Sequence, residues 1–379
     1  MRRLGTIRRV MLGMSWTVLC VGLMVLTGCN GFFVDQKSSS SGTGTTGNYV
    51  YVANSGTNTI AAFSIGTGTL TALTGSPLAL GYSPNSLVVT PNNKFLYVAG
   101  PGAIYVYTIA TDGTISGASA GAAVAISNDV SLDVSPDGNW LFALNGTSTQ
   151  LDEFKINTST GALTSVTPTP YSVATAVVVP RMVKVAPSGA LVFIALGTGG
   201  DFVFTFNTST GAVVNSQQLS LGTTTSDNAI AVDSNSSYLY LARSGTGGGV
   251  AAYSIGTAGA LNAVSGSPFA SGALSYALQL DSTRKYLYAA NRTDGTISGY
   301  TVGTGGGLTA ISGSPYASGL LVTSLARENS GKYVLAASYG GSSDLTLYSL
   351  DSTVAGKLNS TTVAATGISA GAIAVATTH

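Results

Sequence analysis

Residues 286–319 read YLYAANRTDGTISGYTVGTGGGLTAISGSPYASG, and their pattern decides the fold. YLYAAN (286–291) is a short aromatic and apolar run that ends at the polar turn RTDG. TISGYTV (296–302) is centred on Tyr300, and the glycines of GTGGG then force another reversal before LTAI. Short runs of this kind between Gly-, Asn- and Asp-rich turns predict antiparallel strands. The tail, ISGSPYASG (311–319), occurs twice more, as VSGSPFASG (264–272) and LTGSPLALG (73–81). The copies at 264 and 311 begin 47 residues apart, and those at 73 and 264 begin 191 apart, close to four further periods.

The strand that opens each period is better kept than the tail. YVYVAN (49–54), FLYVAG (95–100), WLFALN (140–145), LVFIAL (191–196), YLYLAR (238–243), YLYAAN (286–291) and YVLAAS (333–338) are spaced 46, 45, 51, 47, 48 and 47 residues apart. A second strand follows each, centred on Phe63, Tyr107, Phe154, Phe204, Tyr253, Tyr300 or Tyr348. A third follows a Gly-rich turn, as in TGTLTAL, TGALTSV and GGGLTAI. The fourth reads SLVVTP, SLDVSP, MVKVAP, AIAVDS, ALQLDS, SLAREN and, last, AIAVAT. Four strands per period of roughly 47 residues predict an all-β chain, a seven-bladed β-propeller. The chain opens on a first strand and ends on a fourth one. The C-terminal strand is therefore expected to complete the first blade and close the ring, which leaves no open blade edge.

Only 8% of the 379 residues are charged, and 49 are glycine. That is too apolar for a disordered chain and too rich in glycine for a helical one. The N-terminus differs in character. Basic MRRLGTIRRV precedes the apolar MLGMSWTVLCVGLMVL and then LTGC, the order of an export signal. Leu26-Thr27-Gly28-Cys29 resembles the bacterial lipobox, so residues 1–28 are expected to be removed and Cys29 acylated. An uncleaved anchor helix is the alternative. Removal would take Arg2, Arg3, Arg8 and Arg9 with it, leaving 12 basic and 15 acidic residues, a net of −3, so no nucleic-acid partner is expected. Cys20 and Cys29 then leave no disulfide or cysteine-based metal site. Residues 29–47 read as a Ser/Gly/Thr-rich tether and 48–379 as the propeller. GTGTTG (42–47) fits a dinucleotide loop only as a string, without the strand and helix that such a loop needs. No cofactor and no metal are expected.

YVYVANSGTNTIAAFSIGTGTLTAL (49–73) and the stretch at 286–319 resemble the YVTN-type repeat of the lactonase seven-bladed propeller family, and the resemblance runs through all seven units. It implies lactone hydrolysis, the family's named activity being 6-phosphogluconolactonase, with a fungal muconate-lactonising relative. It also implies a Pro-His pair opening a central inner strand and an Asp-rich loop after the next strand. Here these positions read Pro180-Arg181 and ALGTGGD, in which Asp201 remains.

The sole histidine, His379, is the last residue, which argues against histidine-based acid–base chemistry. GASAG (117–121) matches G-x-S-x-G but falls in an outer strand, not at a strand-to-helix elbow. The fourth strands are expected to line the channel. Their first packing column is Leu87, Leu132, Val183, Ile230, Leu278, Leu325 and Ile373, and the second is Val89, Val134, Val185, Val232, Leu280, Arg327 and Val375. Between the two columns, Asp133 and Lys184 fall level on adjacent strands, as an ion pair or as ligand contacts. Asp233, Asp281 and Glu328 at the far ends suit a calcium ion or turn capping, and their DSNSS and DSTRK contexts favour the turn.

At the opposite mouth, Arg181, Arg243 and Arg292 are candidates to clamp a small anionic or carbohydrate-like ligand. Asp129, Asp227 and Asp294 would orient them, Asn85 and Asn228 would hydrogen-bond the ligand, and Tyr276 would desolvate it. The expected protein is a monomeric exported lipoprotein, held to a membrane by its lipid anchor. Its propeller is a non-catalytic binding or scaffolding module for such a ligand or for an envelope protein. A lactonase-like hydrolase of a sugar-acid lactone and a purely structural surface protein are the alternatives.

Overall fold

Tyr238–Gly245 pairs on one side with Thr225–Val232 and on the other with Gly249–Ile255, which in turn pairs with Leu261–Ala263. In the computed structural model this four-stranded antiparallel meander recurs seven times. The described residues are 47–117, 124–125, 129–146, 150–166, 171–172, 179–340, 344–367 and 371–379. The expected signal, Cys29, the tether up to Thr46 and Ala118–Gly121 of the GASAG string lie outside them. Among the described residues no helix is long and apolar enough to cross a membrane.

Each blade runs outward from an inner strand. In order these are Ala372–Thr377, Ser86–Val89, Asp129–Val134, Met182–Val185, Thr225–Val232, Ser275–Leu280 and Val322–Arg327. Each inner strand contacts the next, and Ala372–Thr377 lies between Val322–Arg327 and Ser86–Val89, so the ring is closed by the C-terminal strand. Blade 1 is thus built from both ends of the propeller.

Hydrophobic burial between blades holds the ring together. Between blades 3 and 4, for example, Trp140, Phe142 and Leu151 pack against Val192, Phe204 and Phe206. Phe206 meets Trp140 and Phe142 edge-on, with ring centroids 6.0 and 5.0 Å away. A polar latch accompanies the packing. Tyr51, Tyr97, Tyr240 and Tyr288, each at the third position of its strand, donate their hydroxyls to the carbonyls of Gly113, Gly161, Gly306 and Gly356 in the next blade's turn.

The GSP tail also has a structural role. Ser76, Ser267 and Ser314 accept hydrogen bonds from the amides of Ala62, Ala252 and Gly299, at 2.8, 2.8 and 2.9 Å. The residues that follow return along the second strand, as Leu78–Ala79 does beside Thr59–Ile65 and Tyr316–Ala317 beside Thr296–Val302.

Register departs from expectation in blade 1. Val375 pairs with Val52, as Ile230 pairs with Leu241 in blade 5, so Val375 rather than Ile373 holds the first packing position. The pairing skips Ile373 as it skips Asn228 in blade 5, so Ile373 takes the bulge position, and Thr378 Oγ1 accepts from the Tyr49 amide at 3.0 Å, as Asp233 Oδ1 accepts from the Tyr238 amide at 2.7 Å in blade 5.

Candidate functional site

At the mouth where inner strands begin, several of them carry one residue more than their partner. The pairing passes from Asp227 to Ala229, from Ser275 to Ala277 and from Val322 to Ser324, skipping Asn228, Tyr276 and Thr323. A bulge re-aims the side chain that it leaves out of the ladder. Here that side chain ties blades together. Asn228 Nδ2 reaches Ser244 Oγ and the Ser275 carbonyl, both at 3.0 Å, and Thr323 Oγ1 reaches the Ala372 carbonyl at 2.8 Å.

The charged centre of this mouth lies between blades 4 and 5. Arg243, within the strand Tyr238–Gly245, grips Asp227 with two parallel hydrogen bonds, Nε–Oδ1 at 2.8 Å and Nη2–Oδ2 at 2.6 Å. The Asp227 side chain is fully buried and that of Arg243 nearly so. Burial works against the guanidinium charge, but the hydrogen bonds and the charge of Asp227 outweigh it and raise the Arg243 pKa.

Asp201 opens the strand Asp201–Asn207 of blade 4 and brings a second carboxyl to Asp227. The turn 197–200 makes this approach possible. Gly197 has φ +59°, and a Cβ there would lie 2.9 Å from the Val179 carbonyl oxygen and 3.3 Å from Ser226 Oγ. Asp201 is 3% exposed, and among the described residues neither of its oxygens has a hydrogen-bond partner. Two ionised carboxylates cannot share such a space. Burial first, and then the negative charge of Asp227, push the Asp201 pKa well up against the opposing pull of Arg243. Burial beside a second carboxyl therefore favours the protonated form of Asp201, while Asp227 is the carboxyl that Arg243 grips.

The other candidates are more dispersed. Arg292 lies over the Tyr276 ring at 4.4 Å, and Asp294 accepts from the Ala273 amide at 2.6 Å. Arg243 and Arg292 are thus engaged separately, one by a carboxylate and one by a ring. Arg181 begins the inner strand of blade 4, where its amide donates to the Ala195 carbonyl at 2.9 Å and its Nε is buried without an acceptor. The Asn85 amide donates to the Ala99 carbonyl at 2.8 Å. Asp129 stands opposite Asn145 in blade 3, its side chain outside the described residues.

At the far ends of the strands, Asp133 and Lys184 form an ion pair at 3.0 Å, and Asp133 Oδ2 also accepts from the Val185 amide at 2.7 Å. Asp233, Asp281 and Glu328 each accept backbone N–H groups of their own turns, including those of Tyr238, Tyr286 and Tyr333. That is the capping role. His379 sits among Asn93, Val89, Lys184, Asp133 and Arg327, exposed to solvent yet set within this mouth. Crowding by protein, which disfavours the imidazolium, lowers its pKa. Sequence position alone gave no sign of this placement.

The model of the family described as lactonase, 7-bladed beta-propeller, matches residues 33–125, 197–311 and 244–372. These segments span more than half of the sequence, and the chain belongs to this family. No curated protein matches it. Among solved structures it is similar to a Bacteroides uniformis protein assigned as a 6-phosphogluconolactonase, at 18% identity and a TM-score of 0.71 over 87% of this chain and 99% of that one. It is also similar to the periplasmic gluconolactonase of Pseudomonas aeruginosa, at 15% identity and a TM-score of 0.67 over 88% and 99%. Hydrazine synthase of Kuenenia stuttgartiensis matches too, at 17% identity and a TM-score of 0.60 over 80% and 92%. Likeness at these identities carries the fold and leaves the chemistry to the site.

Proposed function

We propose that the protein hydrolyses a lactone, with Asp201 and Asp227 as its acid and base. The carrying observation is the pair itself, Asp227 gripped by the two hydrogen bonds of Arg243 and Asp201 buried beside it with its proton affinity raised. Paired carboxyls whose environments push their proton affinities apart are a recurrent acid–base arrangement. Family membership supports the same reading and favours it over a non-catalytic binding role. In ring opening, a water oxygen bonds to the carbonyl carbon while Asp227 accepts the water proton. The ring C–O bond then breaks, and Asp201 protonates the departing oxygen. The two groups exchange one proton to reset, and the hydroxy acid leaves. The unpaired Nε of Arg181 is a donor suited to the carbonyl oxygen as it gains charge.

We place this activity outside the cytosol, on a protein lipid-anchored at Cys29, on the strength of the basic, apolar and LTGC segments. The catalytic test is Asp201→Asn, which preserves a donor toward Asp227 but carries no acidic proton. Ring opening of glucono-δ-lactone and γ-dodecalactone, followed by acid release, should fall about 100-fold or more, with an unchanged circular dichroism spectrum. Wild-type turnover in this variant would refute the acid role.

A further inference from the structure

Among the described residues, five of the seven large apolar side chains that face water lie at this mouth. Val179, Leu274, Leu320, Leu321 and Tyr339 are exposed there, whereas Val214 and Val363 lie on the outer strands Ala212–Leu219 and Leu358–Ala364. Val179 precedes the inner strand Met182–Val185, Leu274 precedes Ser275–Leu280, and Leu320-Leu321 precede Val322–Arg327. Tyr339 follows Tyr333–Ser338, and its amide donates to the Leu321 carbonyl at 3.0 Å. Leu320 is 67% exposed.

Two of these leucines hold an unfavourable backbone as well. Leu274 has φ +57° and Leu321 φ +52°. Their Cβ atoms crowd the backbone in this left-handed region, which glycine occupies without that crowding. Glycine or asparagine would make the same turn more easily, and the exposed side chains add little to the core. Strain and exposed apolar surface retained together at a mouth are marks of a binding site.

The apolar rim is continuous with the carboxyl pair. Gly197 brings the Val179 carbonyl and Ser226 together beside Asp227, and Asn228 spans to the Ser275 carbonyl next to Leu274. The carboxyls therefore lie between Val179 and Leu274 around the ring. Of the three mouth arginines, Arg243 and Arg292 are engaged by Asp227 and Tyr276, which leaves only Arg181, the donor assigned above to the carbonyl oxygen.

Resting on the hydrolytic reading above, we infer that the substrate is a lactone bearing an alkyl or acyl chain, not a phosphorylated sugar lactone. The chain lies on Leu274, Leu320 and Leu321, and the ring is directed toward Asp201 and Asp227.

The test uses the purified protein and a Leu274→Asn/Leu321→Asn double variant. Asparagine tolerates the left-handed backbone, so the variant should melt no lower than wild type. Calorimetric titration should show γ-dodecalactone binding the wild type at least about tenfold more tightly than glucono-δ-lactone, and the variant losing about tenfold for γ-dodecalactone alone, as expected when two leucines no longer cover the chain. Equal affinity for the two lactones, no binding of γ-dodecalactone, or an unaffected variant would overturn the inference. Ring opening is read separately. If γ-dodecalactone binds through the rim but neither lactone is opened, the rim stands and the hydrolytic reading falls. If only glucono-δ-lactone is opened, hydrolysis stands and the rim falls.

Discussion

Glu153 stands directly opposite Phe142 in blade 3, at a blade interface that has no tyrosine latch. Phe142 occupies the position from which Tyr51, Tyr97, Tyr240 and Tyr288 reach a glycine carbonyl in the next blade, and it has no hydroxyl to donate. The corresponding glycine is Gly211, where an added Cβ would lie 3.0 Å from Glu153 Oε1. Glu153 is 4% exposed, and among the described residues neither of its oxygens has a hydrogen-bond partner. Burial pushes its carboxyl up to about 7, and a protonated acid restores a donor at this interface.

Stability should therefore depend on the Glu153 proton. The folded carboxyl titrates near 7 against 4.5 for the free group, so the native state binds more protons between these values. The contribution is fully present below the unfolded value and is lost as pH rises through the folded one, with a size on the order of 3 kcal/mol. Glu153→Gln, uncharged at every pH, should be more stable than wild type at pH 8 and lose that advantage by pH 4. Urea denaturation of both proteins across this range measures the difference. A gap that does not change with pH would show that Glu153 binds its proton equally well in the folded and unfolded states.

The strands were legible in the sequence because each answers to a local pattern, aromatic runs such as YLYAAN closed by turns such as RTDG. Ring closure was legible from the phase of the repeats. The site was legible only in part. Arg243 and Asp227 were singled out as mouth residues, but their pairing depends on strand register, which the bulge at Asn228 shifts by one. Ile373 misled because AIAVAT matches AIAVDS letter for letter over four residues, whereas in the ladder Ile373 takes the bulge position of Asn228 and Val375 the position of Ile230. Glu153 reads locally as an ordinary outward residue of LDEFKI, and only the Gly211 turn of the next blade buries it. A regular alternating strand carries no signal of such a neighbour.

Removing one partner of the Asp227–Arg243 pair should cost far more than removing both. Asp227→Ala leaves a buried guanidinium without its carboxylate, at about 3–5 kcal/mol. Asp227→Ala combined with Arg243→Met takes away the stranded charge and fills much of its space, so it should recover most of that loss. Denaturation midpoints of the single and double variants decide this. A double variant less stable than Asp227→Ala would mean that Arg243 stabilises the mouth independently of Asp227.

Acylation at Cys29 should set where the protein resides. A single acyl chain anchors only marginally, so stable attachment requires at least two. Cys29→Ser should move the protein from the membrane to the soluble fraction and abolish labelling by a fatty-acid analogue. Membrane association with an intact N-terminus in Cys29→Ser would favour an uncleaved anchor instead.

The propeller should depend on its last strand. Ala372–Thr377 pairs with Tyr49–Asn54, and Ala372 and Val375 pack into a cluster with Val50, Val52 and Leu335. Thr378 adds a contact to the Tyr49 amide at 3.0 Å, and Asn93 exchanges two hydrogen bonds with the His379 backbone, at 2.8 and 2.9 Å. Deleting residues 371–379 would expose Tyr49–Asn54 as an unpaired edge and separate Val322–Arg327 from Ser86–Val89. Unpaired edges with apolar neighbours recruit other chains. The truncated protein should elute as aggregates and melt well below the full chain, whereas His379→Ala should elute as the full chain does. Unchanged elution and melting of the truncated protein would mean that the other six inner strands hold the ring without the seventh.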